Sequence, residues 1–229
     1  MKTTNKILLM FIVLLFVSFT AIRLVIHSKT ELIPWALDKK FEQKTIGIQK
    51  FLSLEVNGNY YVHVNKSDFD SLKIWGPDNL VNKFTDIVNN GNAIKINSKV
   101  DLSKYGSRSI EIWINTSSLE SISVSGGAIV SAESFNGNKF DFVAKDFSII
   151  NCEDCNYTNT NFTLKDKARV SLDMTQNAVV DVQDTAALFL TIDNGNISGK
   201  TFGDGELILF GKTNSNTVEK VENKSRGTK

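Results

Sequence analysis

The sequence has only two cysteines, Cys152 and Cys155, so no framework of disulfides holds the fold together. Proline occurs twice and histidine twice in 229 residues. Two histidines leave little material for a metal site or a proton-shuttling base. Charge of one sign is missing too: 26 basic residues face 25 acidic ones, a formal net of +1. Without a basic excess nothing draws the chain to nucleic acid. Beyond residue 40 there are no long Leu/Ala/Glu stretches of helical period. Asn, Ser, Thr, Val, Ile and Phe are plentiful, and these are strand and turn formers. With 41% hydrophobic residues the chain can build a core, and it reads as all-β.

One long apolar run exists. It follows Lys2 and Lys6, extends from Ile7 to Ile22, breaks at Arg23 and resumes over Leu24–Ile26. Sixteen helical residues reach about 24 Å, short of the ~30 Å hydrocarbon core. With Arg23 snorkelling, residues 7–26 reach about 30 Å, which suffices. Residues 1–26 are therefore expected to be a signal anchor, with the membrane as partner through residues 7–26. A cleaved signal peptide is the alternative, but its best site, Phe19-Thr20-Ala21, puts Phe where a small residue is needed. No cysteine follows the run, which excludes a lipid-modified N-terminus. Lys2 and Lys6 on one flank and Arg23, Lys29, Lys39 and Lys40 on the other leave orientation undecided by charge. Residues 27–50 read as a linker or a lead-in strand.

From Phe51 the pattern alternates. Phe51–Val56 and Tyr61–Val64 flank Asn57-Gly58-Asn59, a hairpin signal. Leu72–Trp75, Ala93–Ile96 and Ile110–Ile114 are further strands, and Pro77 to Phe84 carries helix-like spacing for about two turns, or forms a loop. After Leu119 turn-type clusters recur about every ten residues, among them Asn136-Gly137-Asn138, Lys165-Asp166-Lys167 and Asn194-Gly195-Asn196. At a spacing of twenty the register sharpens: Phe142, Phe162, Val182 and Phe202 form one series. Val130, Ile150, Val170, Leu190 and Phe210 form another. Such a register predicts a β-solenoid of about 20-residue coils, its equivalent side chains stacked in ladders. An antiparallel β-meander sandwich is the alternative, each ten residues giving one strand and its turn. Strands of only four to six residues in one constant phase favour the solenoid. The head domain is placed at 51–211, and the polar residues 212–229, lacking an apolar stripe, read as a disordered tail.

The order of these segments resembles a known family. The match rests on Phe51–Val56 with Tyr61–Val64, on Asn79 to Asn92 ahead of Ile94-Lys95-Ile96, and on Ile110–Ile114. It ends on Leu119-Glu120-Ser121-Ile122-Ser123-Val124-Ser125-Gly126-Gly127. The layout is similar to the family labelled putative auto-transporter adhesin, head GIN domain, over about residues 51–211. The resemblance implies a right-handed β-helix-like fold and a place in the bacterial cell envelope, with the β domain outside the cytoplasm. Two features depart from the family pattern: Ala128-Ile129 after the glycine pair, and an anchor-like N-terminus.

Candidate chemistry is sparse. Cys152-Glu153-Asp154-Cys155 has redox spacing, but such a pair needs a helix N-terminus to stabilise its thiolate, and here a turn is due. Three residues along a strand span about 10 Å, beyond disulfide reach, whereas a tight turn permits a disulfide between Cys152 and Cys155. His63 sits in an alternating strand with no nucleophile motif near it. Glu153-Asp154 and Asp204 with Glu206 read as solvated turns, and Gly203-Asp204-Gly205 lacks the periodicity of calcium-binding rolls. No catalytic, cofactor or metal residue is assigned. The expectation is a non-catalytic envelope protein that presents a solenoid face for adhesion or scaffolding, with a surface protein or a glycan as ligand. A sensing or signalling component is the alternative. Exposed aromatics along one face with a carboxylate pair among them would point to the third reading, a carbohydrate-active enzyme.

Overall fold

The computed structural model describes residues 18, 20, 41–77, 81, 85–98 and 110–222. The anchor expected over residues 7–26 lies outside the described residues apart from Ser18 and Thr20, as does the helix-like segment 77–84 apart from Pro77, which ends a strand, and Val81. Among the described residues no helix is long and apolar enough to cross a membrane. The β unit begins at Phe41. Its strands are β1 (Phe41–Ile46), β2 (Ser53–Asn57), β3 (Tyr61–Lys66), β4 (Ser71–Pro77), β5 (Thr85–Asn89), β6 (Ala93–Ser98) and β7 (Glu111–Thr116). They continue as β8 (Ser121–Ser125), β9 (Ile129–Glu133), β10 (Asn136–Ala144), β11 (Ile149–Leu164), β12 (Arg169–Val182), β13 (Ala187–Phe202) and β14 (Glu206–Val221).

Alternation decides which side chains enter the core. In β2 Leu54 and Val56 point in, in β3 Val62 and Val64, in β7 Ile112 and Ile114, and all six are buried. From β8 onward the strands stack in parallel register, giving about five regular solenoid turns. The antiparallel meander is excluded there, because every pairing among β8–β14 is parallel.

The first turns are laid down out of order. Leu54 of β2 stands between Ile94 and Ile122, and Val62 of β3 stands between Ile112 and Val130. The coil β2–β3 therefore lies between β6–β7 and β8–β9, so later chain flanks it on both sides. Asn57-Gly58-Asn59 is accordingly a solenoid corner instead of the expected hairpin. Its strands pair with neighbouring coils, and the Gly58 N–H donates to the Ser125 carbonyl at 3.2 Å. Antiparallel strands finish this end: β4 pairs with β7, β1 with β4, and β5 with β6. β1 thus occupies part of the segment read as a linker.

Two inward ladders run down the stack. One is Val130–Ile150–Val170–Leu188–Leu207, the other Ile122–Phe142–Phe162–Val180–Gly199–Val218. The rings of Phe142 and Phe162 stack 5.0 Å apart and 5° from parallel. The constant spacing of twenty fails after that. Phe162 faces Val180, Val170 faces Leu188, and Val182 falls opposite Leu164. Phe210 pairs with Thr191 and stays 54% exposed, and Phe202 pairs with Val221. The cause is local: Cys152 pairs with Leu172 but Asn156 with Met174, so β11 carries two extra residues at Glu153–Cys155. The bulge shortens the next step to eighteen.

The corners alternate in kind. Lys145-Asp146, Lys165-Asp166-Lys167 and Asp184-Thr185 make tight turns, whereas Asp154, Thr175-Gln176-Asn177 and Asn194-Gly195-Asn196 lie inside long bent strands. Strands of up to 16 residues thus replace the short ones expected. β14 likewise continues through Lys212 to Val221, where a disordered tail was expected. Main-chain pairing with β13 needs no apolar side chains, so composition did not reveal it.

Candidate binding face

The outward residues of β1, β4, β7 and β3 assemble an aromatic face. Cross-strand register sets two rows, Gln43–Trp75–Glu111–Tyr61 and Thr45–Lys73–Trp113–His63. Phe41 stacks on Trp75 with centroids 4.5 Å apart, and His63 stacks on Trp113 at 3.8 Å and 11°. Tyr61 meets His63 edge-on at 4.4 Å. The two cross-strand stacks, Phe41 on Trp75 and His63 on Trp113, hold their rings in place on a pleated surface. Trp75 and Trp113 nevertheless keep 40% of their surface exposed, and Phe41 keeps 55%. Between the two stacks lies an open groove of about 420 Å³, lined by Gln43, Lys73, Trp75, Glu111 and Trp113. Burial in the stack pushes the His63 imidazole below its ordinary value of 6.5, with the Glu111 carboxylate pulling the other way. The imidazole is therefore neutral at pH 7.

A second groove, of about 360 Å³, follows the tight corners past Asp146, Asp166 and Asp184. Its carboxylates are structural. Asp146 Oδ2 accepts the Gly126 N–H at 2.8 Å, Asp166 Oδ2 the Asp146 N–H at 3.2 Å, and Asp184 Oδ2 the Asp166 N–H at 3.3 Å. Each aspartate clips its corner to the coil before it. At another corner Asn159, Asn177 and Asn196 form an amide ladder with contacts of 3.2 Å.

Cys152 and Cys155 are joined by a disulfide, with Cα atoms 5.7 Å apart. It staples the two-residue bulge of β11, and both cysteines are buried. Asp154, at a positive φ of 53°, donates its N–H to Asp173 Oδ2 at 2.6 Å. His63 lies on the aromatic face, and His27 falls outside the described residues. Sequence reading missed Phe41, Trp75 and Trp113 as a unit. The signal present was two tryptophans in the outward positions of alternating strands, where polar residues are usual. Their meeting depends on β4 crossing onto β7, which no local pattern announces.

No curated protein matches the chain. Solved structures share its fold at low identity. A putative adhesin from Bacteroides fragilis superposes with a TM-score of 0.58 at 16% identity, covering 80% of this chain and 98% of its own. One from Parabacteroides distasonis gives 0.52 at 15% identity, covering 81% and 95%. A putative lipid binding protein from the same species gives 0.50 at 13% identity, covering 80% and 97%. Identities this low establish architecture alone. The family model for putative auto-transporter adhesin, head GIN domain, matches residues 50–226, and the chain belongs to that family.

Proposed function

We propose that the chain is a non-catalytic, adhesin-like protein of the cell envelope that presents its aromatic face to a ligand on an apposed surface. Residues 7–26 hold it at the membrane, and the solenoid stands outside the cytoplasm. The observation that carries this reading is the set Phe41, Trp75 and Trp113, exposed on one sheet surface and extended by the half-buried rings of His63 and Tyr61. Solvent alone gives no reason to gather large rings on the outside of a strand that alternates cleanly, and such patches mark contact sites. The corner carboxylates are taken up by main-chain N–H groups, which supports a structural role for them over acid–base work.

Beads coated with the purified full-length chain test the idea. They are expected to attach to epithelial cells, mucin or bacterial envelopes, and a Trp75→Ala/Trp113→Ala variant with unchanged circular dichroism should lose that attachment. Attachment equal for the two proteins, or none on any of these surfaces, would remove the reading.

A further inference from the structure

We propose that the groove between Trp75 and Trp113 binds a neutral sugar residue of a surface glycan, an inference that rests on the adhesin-like reading above. The groove has two kinds of surface. Its walls are indole rings, whose faces carry the negative part of the aromatic quadrupole. One side of a pyranose ring presents a patch of polarised C–H bonds, which such a face attracts. The rest of the groove is polar: Gln43 offers an amide donor and acceptor, Lys73 donates and Glu111 accepts. Sugar hydroxyls, each a donor and an acceptor, match that mixture. A ligand apolar all round, such as an acyl chain, would strip water from Lys73, Glu111 and Gln43 without replacing their hydrogen bonds.

Charge narrows the class. Lys73 and Glu111 lie in the same groove with opposite signs, and His63 behind Trp113 is neutral at pH 7. A phosphate or carboxylate favoured by Lys73 meets Glu111, and an ammonium favoured by Glu111 and the rings meets Lys73. Neither charge gains, so a neutral hydroxylated ligand fits best. The walls are also prepared in advance. Phe41 is stacked against Trp75 and His63 against Trp113, so little side-chain freedom is lost on binding. The groove is open, and the rings stand on β4 and β7, which are paired over five residues. A saccharide within a longer chain can therefore lie across them.

The full-length protein, kept in a detergent without a sugar headgroup, is titrated with neutral hexasaccharides of glucose, xylose, mannose and N-acetylglucosamine. Tryptophan fluorescence and calorimetry are the readouts, and tetramethylammonium and polygalacturonate serve as charged probes. At least one neutral hexasaccharide is expected to bind. Trp75→Ala and Trp113→Ala should each weaken it about tenfold or more, the loss typical of a central ring anchor. Trp113→Phe, which keeps a ring and guards against misfolding, should retain most of the affinity, while Glu111→Gln should lower it by a few-fold with the circular dichroism unchanged. Binding of a charged probe in place of all four hexasaccharides overturns the proposal. Saccharide binding that ignores both tryptophans overturns it equally. If bead attachment still needs Trp75 and Trp113 but no hexasaccharide binds, the sugar assignment fails and the adhesin-like face stands. If attachment ignores both tryptophans, the face itself is lost.

Discussion

Phe162 is where the regularity of this fold meets its exception. It is buried and stacked on Phe142 in the coil before it, twenty residues back. On its other side it faces Val180, eighteen residues on, because the Cys152–Cys155 corner has consumed two residues. Phe162→Ala should cost about 3–5 kcal/mol, since the flanking coils are tied by main-chain ladders and cannot collapse into the cavity. A double-mutant cycle between Phe162→Ala and Val180→Ala should show coupling of about 0.5–3 kcal/mol. The same cycle with Val182→Ala should couple more weakly, because Val182 faces Leu164. Urea denaturation of the six proteins (wild type, three single and two double variants) measures both cycles, and a stronger Val182 coupling would mean the ladder follows the spacing of twenty. The residues explain how much the sequence disclosed. Ile122, Phe142 and Phe162 repeat at twenty and are legible as a ladder. Beyond them the pattern slips by two, and periodicity continued past a bulge names the wrong neighbours.

Among the elements, the tight corners show why an acidic residue recurs where like charges stack. Asp146, Asp166 and Asp184 sit at φ of 62°, 61° and 62°, in the left-handed region that Asp tolerates better than most side chains. The residue two positions on, Ser148, Ala168 or Ala186, is fully buried and small, closing the turn against the core. Each Asp then accepts the N–H of the preceding corner, so one residue type meets a backbone demand and a hydrogen-bonding demand together. Asp166→Ala should cost about 1–2 kcal/mol, mostly from placing an alanine at positive φ. Asp166→Gly should lose less, since it restores the backbone freedom while giving up the contact to Asp146. Thermal melts of the two variants decide the matter: if glycine is as costly as alanine, the carboxylate contact dominates and the conformational account is wrong. These corners were visible in sequence as turns, but their carboxylates as intercoil clips were not, because a clip needs the coil register. The aromatic face was hidden for the same reason. Trp75 and Trp113 lie 38 positions apart, and only the antiparallel pairing of β4 with β7 makes them neighbours.

At the scale of the molecule the two ends of the solenoid differ, and that difference should govern how it opens. The N-terminal coils are finished by antiparallel strands, β4 and β1 on one row and β5 on the other. β14 pairs with β13 alone among the described strands, and its inward residues Leu207 and Leu209 are only half-buried, unlike Leu188 and Leu190 directly beneath them. In a stack where each coil contacts mainly its neighbours, stability is a sum of local terms, so an end coil lacking one interface opens before the interior. Native-state hydrogen exchange on the full-length chain should therefore show a gradient, with β14 exchanging fastest, β13 next, and β9–β11 slowest. The comparison must use amides bonded to a neighbouring strand, because the outer edge of β14 faces no further strand among the described residues. Phe162→Ala adds a second reading. In an additive stack it should speed exchange in β11 and β12 and leave the antiparallel cap strands β1 and β4 nearly unchanged, since β7, β3 and β9 stand between them. If instead every strand exchanges at one rate, and that rate moves as a whole in the variant, the domain opens only globally. The cap and the aromatic face would then share the full stability of the core, rather than resting on their own end of the solenoid.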